Sequence, residues 1–244
     1  MAGDRAHWER AHTERTADQV SWYEPLPQRS LKLIQATKLD HDASILDVGG
    51  GASSLAARLL ATGYTDLTVA DISPVALAHA QTELGASAAR ITWIEADIRT
   101  HDFGRCFDLW HDRAVFHFMV NPADRNRYLD VLHKTLRPGG HLILATFGPQ
   151  GPTQCSGLPV DRYGADDVQR ILGDNFELLS STLATHRTPS GRSQQFHYAH
   201  LLRRPNALPT ETPTPRARTA NKDHGADVGL PSRPARVSDA SSAG

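Results

Sequence analysis

The chain of 244 residues is long enough for one α/β domain with an appendage, or for two small domains. Its 26 Lys and Arg against 27 Asp and Glu give a net charge of −1, which argues against nucleic acid and against a membrane surface as partners. The two cysteines are too few for a disulfide framework or a cysteine-based zinc site. Because the charged N-terminus predicts no signal peptide and no apolar run approaches membrane-spanning length, we expect a cytoplasmic protein.

The N-terminal segment, residues 1–27, is predicted to form a lid. Residues 5–20 have the composition of a polar helix that carries Trp8, and Trp22 and Tyr23 follow it. These aromatic side chains either seal the edge of the domain or cover a bound ligand. The sequence leaves both interpretations open.

A glycine turn follows the first predicted strand. A helix over residues 28–38 leads into the apolar run Ser44–Val48, which has the character of a strand buried on both faces. Three consecutive glycines follow this strand: Gly49, Gly50 and Gly51. This backbone can turn sharply against a ligand, and a helix predicted over residues 52–62 adds free N–H groups. Asp47 favours a ligand with positive charge. Because Ser54 replaces the third glycine of the dinucleotide fingerprint, the turn on its own is equally compatible with binding nothing.

Three further predicted strands end in, or contain, acidic residues. They cover residues 67–71, ending in Asp71, residues 91–98, with Asp97, and residues 107–113, ending in His111, Asp112 and Arg113. A helix over residues 123–136, a turn over 137–140 and a fifth strand over 141–147 continue the alternation. The βαβα pattern predicts a parallel sheet with right-handed crossovers and helices on both faces. Ligands bind at the carboxyl ends of such strands, so these acids are expected to line one cleft.

The C-terminal part of the chain has a different organisation. Residues 148–162 predict a loop rich in glycine and proline, and residues 163–173 a short helix. Residues 176–185 and 194–202 predict two strands, which should pair antiparallel because no crossover helix separates them. Residues 205–244 contain no aromatic side chain and mix proline with Ser, Thr, Ala and Arg, so we expect a disordered tail.

The acids at the strand ends suit different parts of one ligand, a nucleoside joined to a cation. Asp71 is placed to accept two hydrogen bonds from a ribose diol, and Ile72 to pack on an adenine face. Asp97 is placed to accept from an exocyclic amine. An anion beside Asp47 would be repelled by about 1 kcal/mol or more, whereas an ammonium or sulfonium would be attracted.

Over residues 28–202 the chain resembles the class I S-adenosylmethionine-dependent methyltransferases. Asp47–Ser53 is similar to the Asp-x-Gly-x-Gly-x-Gly loop of that family, with Ser53 in place of the last glycine. Asp71 is similar to the family's ribose-binding acid, Asp97 to its adenine-contacting acid, and Leu136–Gly140 to its Leu-Lys/Arg-Pro-Gly-Gly turn. The resemblance implies S-adenosyl-L-methionine as cofactor. The further cofactor contacts it implies are Ile98, His111, Trp8 and Tyr23.

The implied fold is α/β: a Rossmann-like, doubly wound sheet of seven mostly parallel strands with an antiparallel last pair. The implied division is a lid (residues 1–27), a catalytic domain (28–204) and a tail (205–244). The implied activity is methyl transfer to an O, N or S nucleophile of a small-molecule acceptor. The lid resembles that of small bacterial methyltransferases and their lysine-methylating relatives. The His111–Ala114 segment resembles both the thiopurine-type and the lysine-methylating members, so a protein lysine acceptor stays open. A nicotinamide-dependent reductase and a non-catalytic cofactor-binding protein are the alternatives of other classes.

His111 and Asp112 are the nearest candidates for a general base by their position after the fourth strand. We favour the alternative that they position the cofactor. His117 stands in an apolar run and is interpreted as a core histidine. Cys155 is isolated, and isolated cysteines are more often inert than reactive. The histidines near the last two strands lack helical ligand spacing, so no metal is predicted.

Overall fold

The computed structural model describes residues 4–14 and 19–205, which contain six α-helices and nine β-strands. The helices are α1 (Arg5–Thr13), α2 (Gln28–Ala36), α3 (Leu55–Ala61), α4 (Pro74–Leu84), α5 (Pro122–Thr135) and α6 (Ala165–Leu172). The strands are β1 (Ser44–Val48), β2 (Asp66–Asp71), β3 (Ile91–Glu95), β4 (Phe107–Arg113), β5 (Leu136–Phe147), β6 (Gln154–Cys155), β7 (Leu158–Pro159), β8 (Phe176–Arg187) and β9 (Ser193–Arg203). The predicted tail beyond residue 205 lies outside the described residues, and the proposed domain boundaries stay predictions.

Seven strands form one sheet in the order β3-β2-β1-β4-β5-β9-β8. The neighbours from β3 to β5 pair in parallel, and β9 pairs antiparallel with both β5 and β8. This confirms the predicted sheet with its antiparallel last pair. The strand order reverses between β1 and β4, and ligands of open α/β sheets bind at the carboxyl ends of the strands at such a point.

Both faces of the sheet are covered by helices. Ile34 of α2 and Leu59 of α3 pack into one cluster with Ile45 and Leu109 of the central strands. On the other face, Leu132 of α5 and the α6 side chains join a second, larger cluster around the opposite sides of the same strands. Burial on both faces explains why these strands are almost continuously apolar.

Three predicted boundaries were wrong. Helix α3 begins at Leu55 instead of residue 52, because the Ser53 hydroxyl accepts a hydrogen bond from the Leu55 N–H at 3.1 Å and holds a turn before the helix. Strand β3 ends at Glu95, so Asp97 lies just beyond it. The predicted turn 137–140 is part of β5, where the register against β4 is interrupted by a bulge.

The loop predicted over residues 148–162 contains a small hairpin. Strands β6 and β7 pair antiparallel through Ser156 and Gly157, which both have positive φ (51° and 76°). Two positive φ values are what a tight two-residue hairpin turn requires. The hairpin places Cys155 in the interior, where it is buried.

The described part of the N-terminal segment packs on the sheet edge through helix α1. Arg5 forms an ion pair with Glu95 at the end of β3. Trp8 packs edge-to-face against Phe118, with ring centroids 5.0 Å apart, and against Trp22 at 5.9 Å. The aromatic residues therefore lie beside the carboxyl ends of the strands. None of the helices in the described ranges has the length and apolar character needed to cross a membrane.

Candidate functional site

A cavity lies at the carboxyl ends of β1, β2 and β4, with about 830 Å³ of empty space that is partly open to solvent. A second cavity of about 450 Å³, also partly open, adjoins it, and the two share Trp22, Val48, Gly49, Ala52 and Arg113 as walls. We call them the main cavity and the second cavity.

Most of the predicted site residues meet at these two cavities. The main cavity is lined by Trp8, Gly49, Asp71, Ile72, Asp97 and Ile98. The second cavity is lined by Asp47, Gly49, Gly50 and His111. Gly51 lines a smaller adjoining space, whereas Tyr23 lies outside the walls of all three. The structure thus brings together every predicted cofactor contact except Tyr23.

The glycine turn lies directly on two carboxylates. Gly49 has φ of +68° and its N–H donates to the Ala70 carbonyl at 2.7 Å, which brings the turn back onto β2. A Cβ on Gly50 would lie 2.4 Å from the Asp47 carboxylate, and one on Gly51 would lie 2.8 Å from the Asp71 carboxylate. Only glycine fits at these two positions without displacing an acid.

Asp47 has one engaged and one free carboxylate oxygen. Its Oδ1 lies 2.7 Å from His111 Nδ1, and His111 Nε2 lies 2.8 Å from the Ser30 hydroxyl. The network fits a tautomer in which Nδ1–H donates to Asp47 and Nε2 accepts from Ser30. Asp47 Oδ2 is buried and has no hydrogen-bond partner among the described residues. A buried carboxylate oxygen without a partner is costly, so this atom is suited to a cationic donor.

Asp71 is held by the backbone on both sides. Its carboxylate accepts from Gly51 N–H at 3.0 Å and from Ser73 N–H at 2.9 Å. Burial, assisted by the nearby charge of Asp47, raises the pKa of Asp71 to about 6, although these backbone donors act in the opposite direction. Each oxygen keeps a second lone pair, so the fixed carboxylate has capacity for two hydroxyl donors.

Asp97 is already engaged by a neighbour. Burial would raise the pKa of Asp97, but the hydrogen bonds and charge of Arg99 outweigh burial and lower it. Arg99 Nε lies 2.8 Å from Oδ1, and Arg99 Nη2 lies 2.6 Å from Oδ2. Arg99 also approaches Asp124 of helix α5 at 3.5 Å. A ligand amine at Asp97 would therefore share a carboxylate that Arg99 has oriented.

Asp112, one of the two candidate bases, faces away from both cavities. It is fully buried, and it accepts from the N–H groups of Val115 and Phe116 and from the Tyr128 hydroxyl at 2.6 Å. Burial raises the pKa of Asp112 to about 6 against the effect of these donors. Its hydrogen bonds shape the chain after β4, where Ala114 has φ of +73°. This arrangement favours a structural role for Asp112.

The interpretation of His117 as a core histidine agrees with its surroundings. The ring is fully buried, its Nδ1 accepts from the Phe147 N–H at 3.3 Å, and burial lowers its pKa to about 3. Cys155 lines the main cavity, and burial raises the pKa of its thiol to about 11. A thiol with that pKa stays protonated at neutral pH and is a weak nucleophile.

Several wall residues were missed by sequence reasoning. They are His12 from the N-terminal segment, Arg99 after β3, Arg113 at the end of β4, and Phe118 and Met119 after β4. Burial, with a smaller contribution from His79, lowers the pKa of His12 to about 4, so its imidazole is neutral at neutral pH. The segment before α2 has no periodic apolar pattern that would have assigned His12 to the cavity.

Comparison with known proteins shows what this domain is similar to. Residues 45–140 match the family model of a methyltransferase domain. A malonyl-[acyl-carrier protein] O-methyltransferase of Anoxybacillus flavithermus is 30% identical over 158 residues, which cover 62% of this chain and 58% of that protein. An EEF1A lysine methyltransferase 2 of Danio rerio is 25% identical over 168 residues, which cover 64% of this chain and 69% of that one.

A solved structure shares the fold. It is the 1,6-didemethyltoxoflavin-N1-methyltransferase of Burkholderia thailandensis with 1,6-didemethyltoxoflavin and S-adenosylhomocysteine bound. It aligns with a TM-score of 0.62 at 20% identity, over 82% of this chain and 87% of that one. Residues 45–140 thus match a methyltransferase domain, and the seven-stranded sheet has the predicted fold, that of the class I S-adenosylmethionine-dependent methyltransferases. The chain spans less than two thirds of the first-named relative.

S-adenosyl-L-methionine, the cofactor of the class I methyltransferases, fits the residues present. The free Oδ2 of Asp47 would meet its ammonium, and the fixed carboxylate of Asp71 would meet its ribose diol. Ile72 and Ile98 give apolar walls for the adenine. A phosphate-bearing dinucleotide would instead bring negative charge to Asp47, so the site disfavours the nicotinamide alternative.

Proposed function

We propose that this protein transfers a methyl group from S-adenosyl-L-methionine to a small-molecule acceptor. The observation that carries the proposal is the main cavity, whose walls combine the acids of the strand ends with the apolar side chains of Phe118 and Met119. Trp8, Trp22 and Cys155 bound the same space. A cavity with mostly apolar walls and a few convergent polar groups suits a compact acceptor beside the cofactor.

The protein's contribution to such a transfer is positioning. Methyl transfer is an in-line displacement, so nucleophile, methyl carbon and sulfur must be held in line and water kept out. Asp47 and Asp71 hold two ends of the cofactor, and the aromatic side chains of Trp8 and Trp22 exclude water. His111 acts through Asp47: with both ring nitrogens engaged, it orients the carboxylate and has no free nitrogen for an acceptor proton.

The similar proteins differ in their acceptors. The Burkholderia structure holds the small molecule 1,6-didemethyltoxoflavin, which supports the proposal, and the Anoxybacillus relative is named for a small malonyl group carried on a protein. The zebrafish relative is named a lysine methyltransferase. Protein lysine is therefore the second candidate, and it predicts transfer to protein.

The test supplies the purified protein with tritium-labelled cofactor and, in parallel, a small-molecule extract and a proteome extract. We expect label in the small-molecule fraction. Asp71→Asn should abolish most of this labelling, whereas Asp40→Asn, an exposed acid outside both cavities, should retain it. A labelled protein band with an unlabelled small-molecule fraction would overturn the small-molecule acceptor, and label on a lysine side chain of that band would establish the lysine-type alternative. Cofactor binding without transfer to either extract would favour a non-catalytic binding protein.

A further inference from the structure

A further large space borders helix α1. It has about 1280 Å³ of empty space that is partly open to solvent, and we call it the outer groove. Residues of α1 form one wall, and the other wall comes from the β6–β7 hairpin and the start of β9. Cys155 of the hairpin lines both the outer groove and the main cavity. The two spaces therefore meet at this residue.

Helix α1 lies between the outer groove and the main cavity. Trp8 and His12, four residues apart, line the main cavity. His7, Arg10 and Ala11 line the outer groove. Residues three and four positions apart share one face of a helix, so α1 presents one face to each space. A ligand that extends from the main cavity into the outer groove would pass beside this helix.

Two buried polar atoms at the outer groove have no partner. Gln194 is 9% exposed, and its Oε1 makes no hydrogen bond within the described residues. The same holds for His7 Nε2. A buried polar atom without a partner is unfavourable, so a ligand that supplies one removes a cost as well as adding a contact. Because Gln194 Oε1 can only accept, it requires an N–H or O–H donor.

The outer groove also carries two arginines, Arg10 of α1 and Arg192 before β9. Both are exposed, and neither forms an ion pair with an acid of the described residues. Glu14 is the one acid on the described walls, so two positive charges face one negative charge. Guanidinium groups match carboxylates and phosphates in geometry and charge. The groove therefore favours a ligand group that is anionic.

We propose that the outer groove binds the distal part of the methyl acceptor, and that this part carries a carboxylate or phosphate together with an N–H or O–H donor. The anionic group meets Arg10 and Arg192, and the donor meets Gln194. The methyl-accepting atom lies in the main cavity, and the acceptor passes Cys155 between the two spaces. This rests on the proposed function and names a class of acceptor within it.

The experiment divides a small-molecule extract by anion exchange into a retained, anionic fraction and an unbound fraction. Each is incubated with the full-length protein and tritium-labelled cofactor, and we expect label in the retained fraction. In the double variant Arg10→Gln/Arg192→Gln, the amount of this fraction that gives half-maximal labelling should rise roughly 10-fold, because charge-assisted hydrogen bonds are lost. The maximal rate should stay close to that of the wild type. Gln194→Leu should raise the same amount roughly 3- to 10-fold.

Arg187→Gln is the matched control. It removes an exposed arginine of β8 that lies outside the described walls of the outer groove, and it should change neither quantity. All variants should bind S-adenosylhomocysteine with the Kd of the wild type in calorimetry, which shows that they fold.

The outcomes separate the two proposals. Label confined to the unbound fraction would overturn the outer-groove proposal and leave the proposed function standing. So would a double variant that labels the retained fraction with the same half-maximal amount as the wild type. Label in neither fraction would refute the small-molecule acceptor itself, and the outer-groove proposal with it.

Discussion

Removing the hydroxyl of Tyr128 should expose how the chain after β4 is held in place. This hydroxyl accepts from Trp110 Nε1 at 2.9 Å and donates to Asp112 at 2.6 Å, and all three side chains are fully buried or nearly so. Tyr128→Phe leaves an indole N–H without an acceptor, at about 1–3 kcal/mol, and removes a donor from a carboxylate, at about 1.5–3 kcal/mol. Because such effects are not additive, we expect a loss of about 3 kcal/mol in the free energy of unfolding at neutral pH.

The loss should depend on pH in a defined direction. Burial raises the folded-state pKa of Asp112 to about 6, above the ordinary value of 3.8, so the folded protein binds the proton more tightly than the unfolded chain. Without the Tyr128 hydroxyl this pKa rises further. Protonation then relieves the missing hydrogen bond at low pH, and the destabilisation should grow as the pH rises through about 6.

Urea unfolding at about pH 5 and about pH 8 measures both effects. Tyr64→Phe is the matched control: Tyr64 is also buried, but its hydroxyl makes no hydrogen bond within the described residues. We expect that variant to lie within about 0.5 kcal/mol of the wild type at either pH. If Tyr128→Phe is no more damaging than Tyr64→Phe, or if its effect is the same at both pH values, the account of Asp112 is wrong.

Three further outcomes follow from the same geometry. Asp71→Asn should raise the Kd of S-adenosylhomocysteine roughly 10- to 100-fold through lost charge-assisted hydrogen bonds, with Asp40→Asn as control; an unchanged Kd in calorimetry would contradict the ribose assignment. Gly50→Ala should abolish that binding, because its Cβ would lie 2.4 Å from a carboxylate, whereas Gly164→Ala meets nothing nearer than 3.5 Å and should bind normally. Burial, with the charge of a neighbouring histidine, lowers the pKa of His200 to about 4, below the ordinary 6.5, so its contribution to stability should be lost as the pH falls between these values. His200→Gln should flatten that part of the unfolding profile, and an equally steep profile would contradict it.

The sequence predicted the site best where an acidic residue interrupts a strand that is otherwise apolar because it is buried. Strands covered on both faces must be almost continuously apolar, so an acid at a strand end stands out. Asp47 and Asp71 were found in this way, and both lie at the cavities. The parallel topology followed from the alternation of elements, because it needs no knowledge of individual contacts.

What the sequence did not provide depends on contacts between distant segments. The Arg113 contact with Trp22 joins residues 91 positions apart, and no local pattern around either residue indicates it. The start of α3 depended on a serine hydroxyl that competes for the backbone. Arg99 and Asp97 form an ion pair between near neighbours in the sequence. Only the fold shows that Asp124 of helix α5 also contacts Arg99.

The alternation of side chains along β4 could have separated His111 from Asp112 in the sequence itself. Side chains alternate between the two faces of a strand, so along β4 Trp110 and Asp112 share one face while His111 and Arg113 share the other. The contacts follow this period: Trp110 and Asp112 both bond to Tyr128 of helix α5, whereas the other two reach the cavities. Trp110 is apolar and belongs to the core, so its partner at a spacing of two belongs there as well. The two-residue period therefore predicts Arg113, rather than Asp112, as the residue that lies on the same face of β4 as His111 and reaches the cavities.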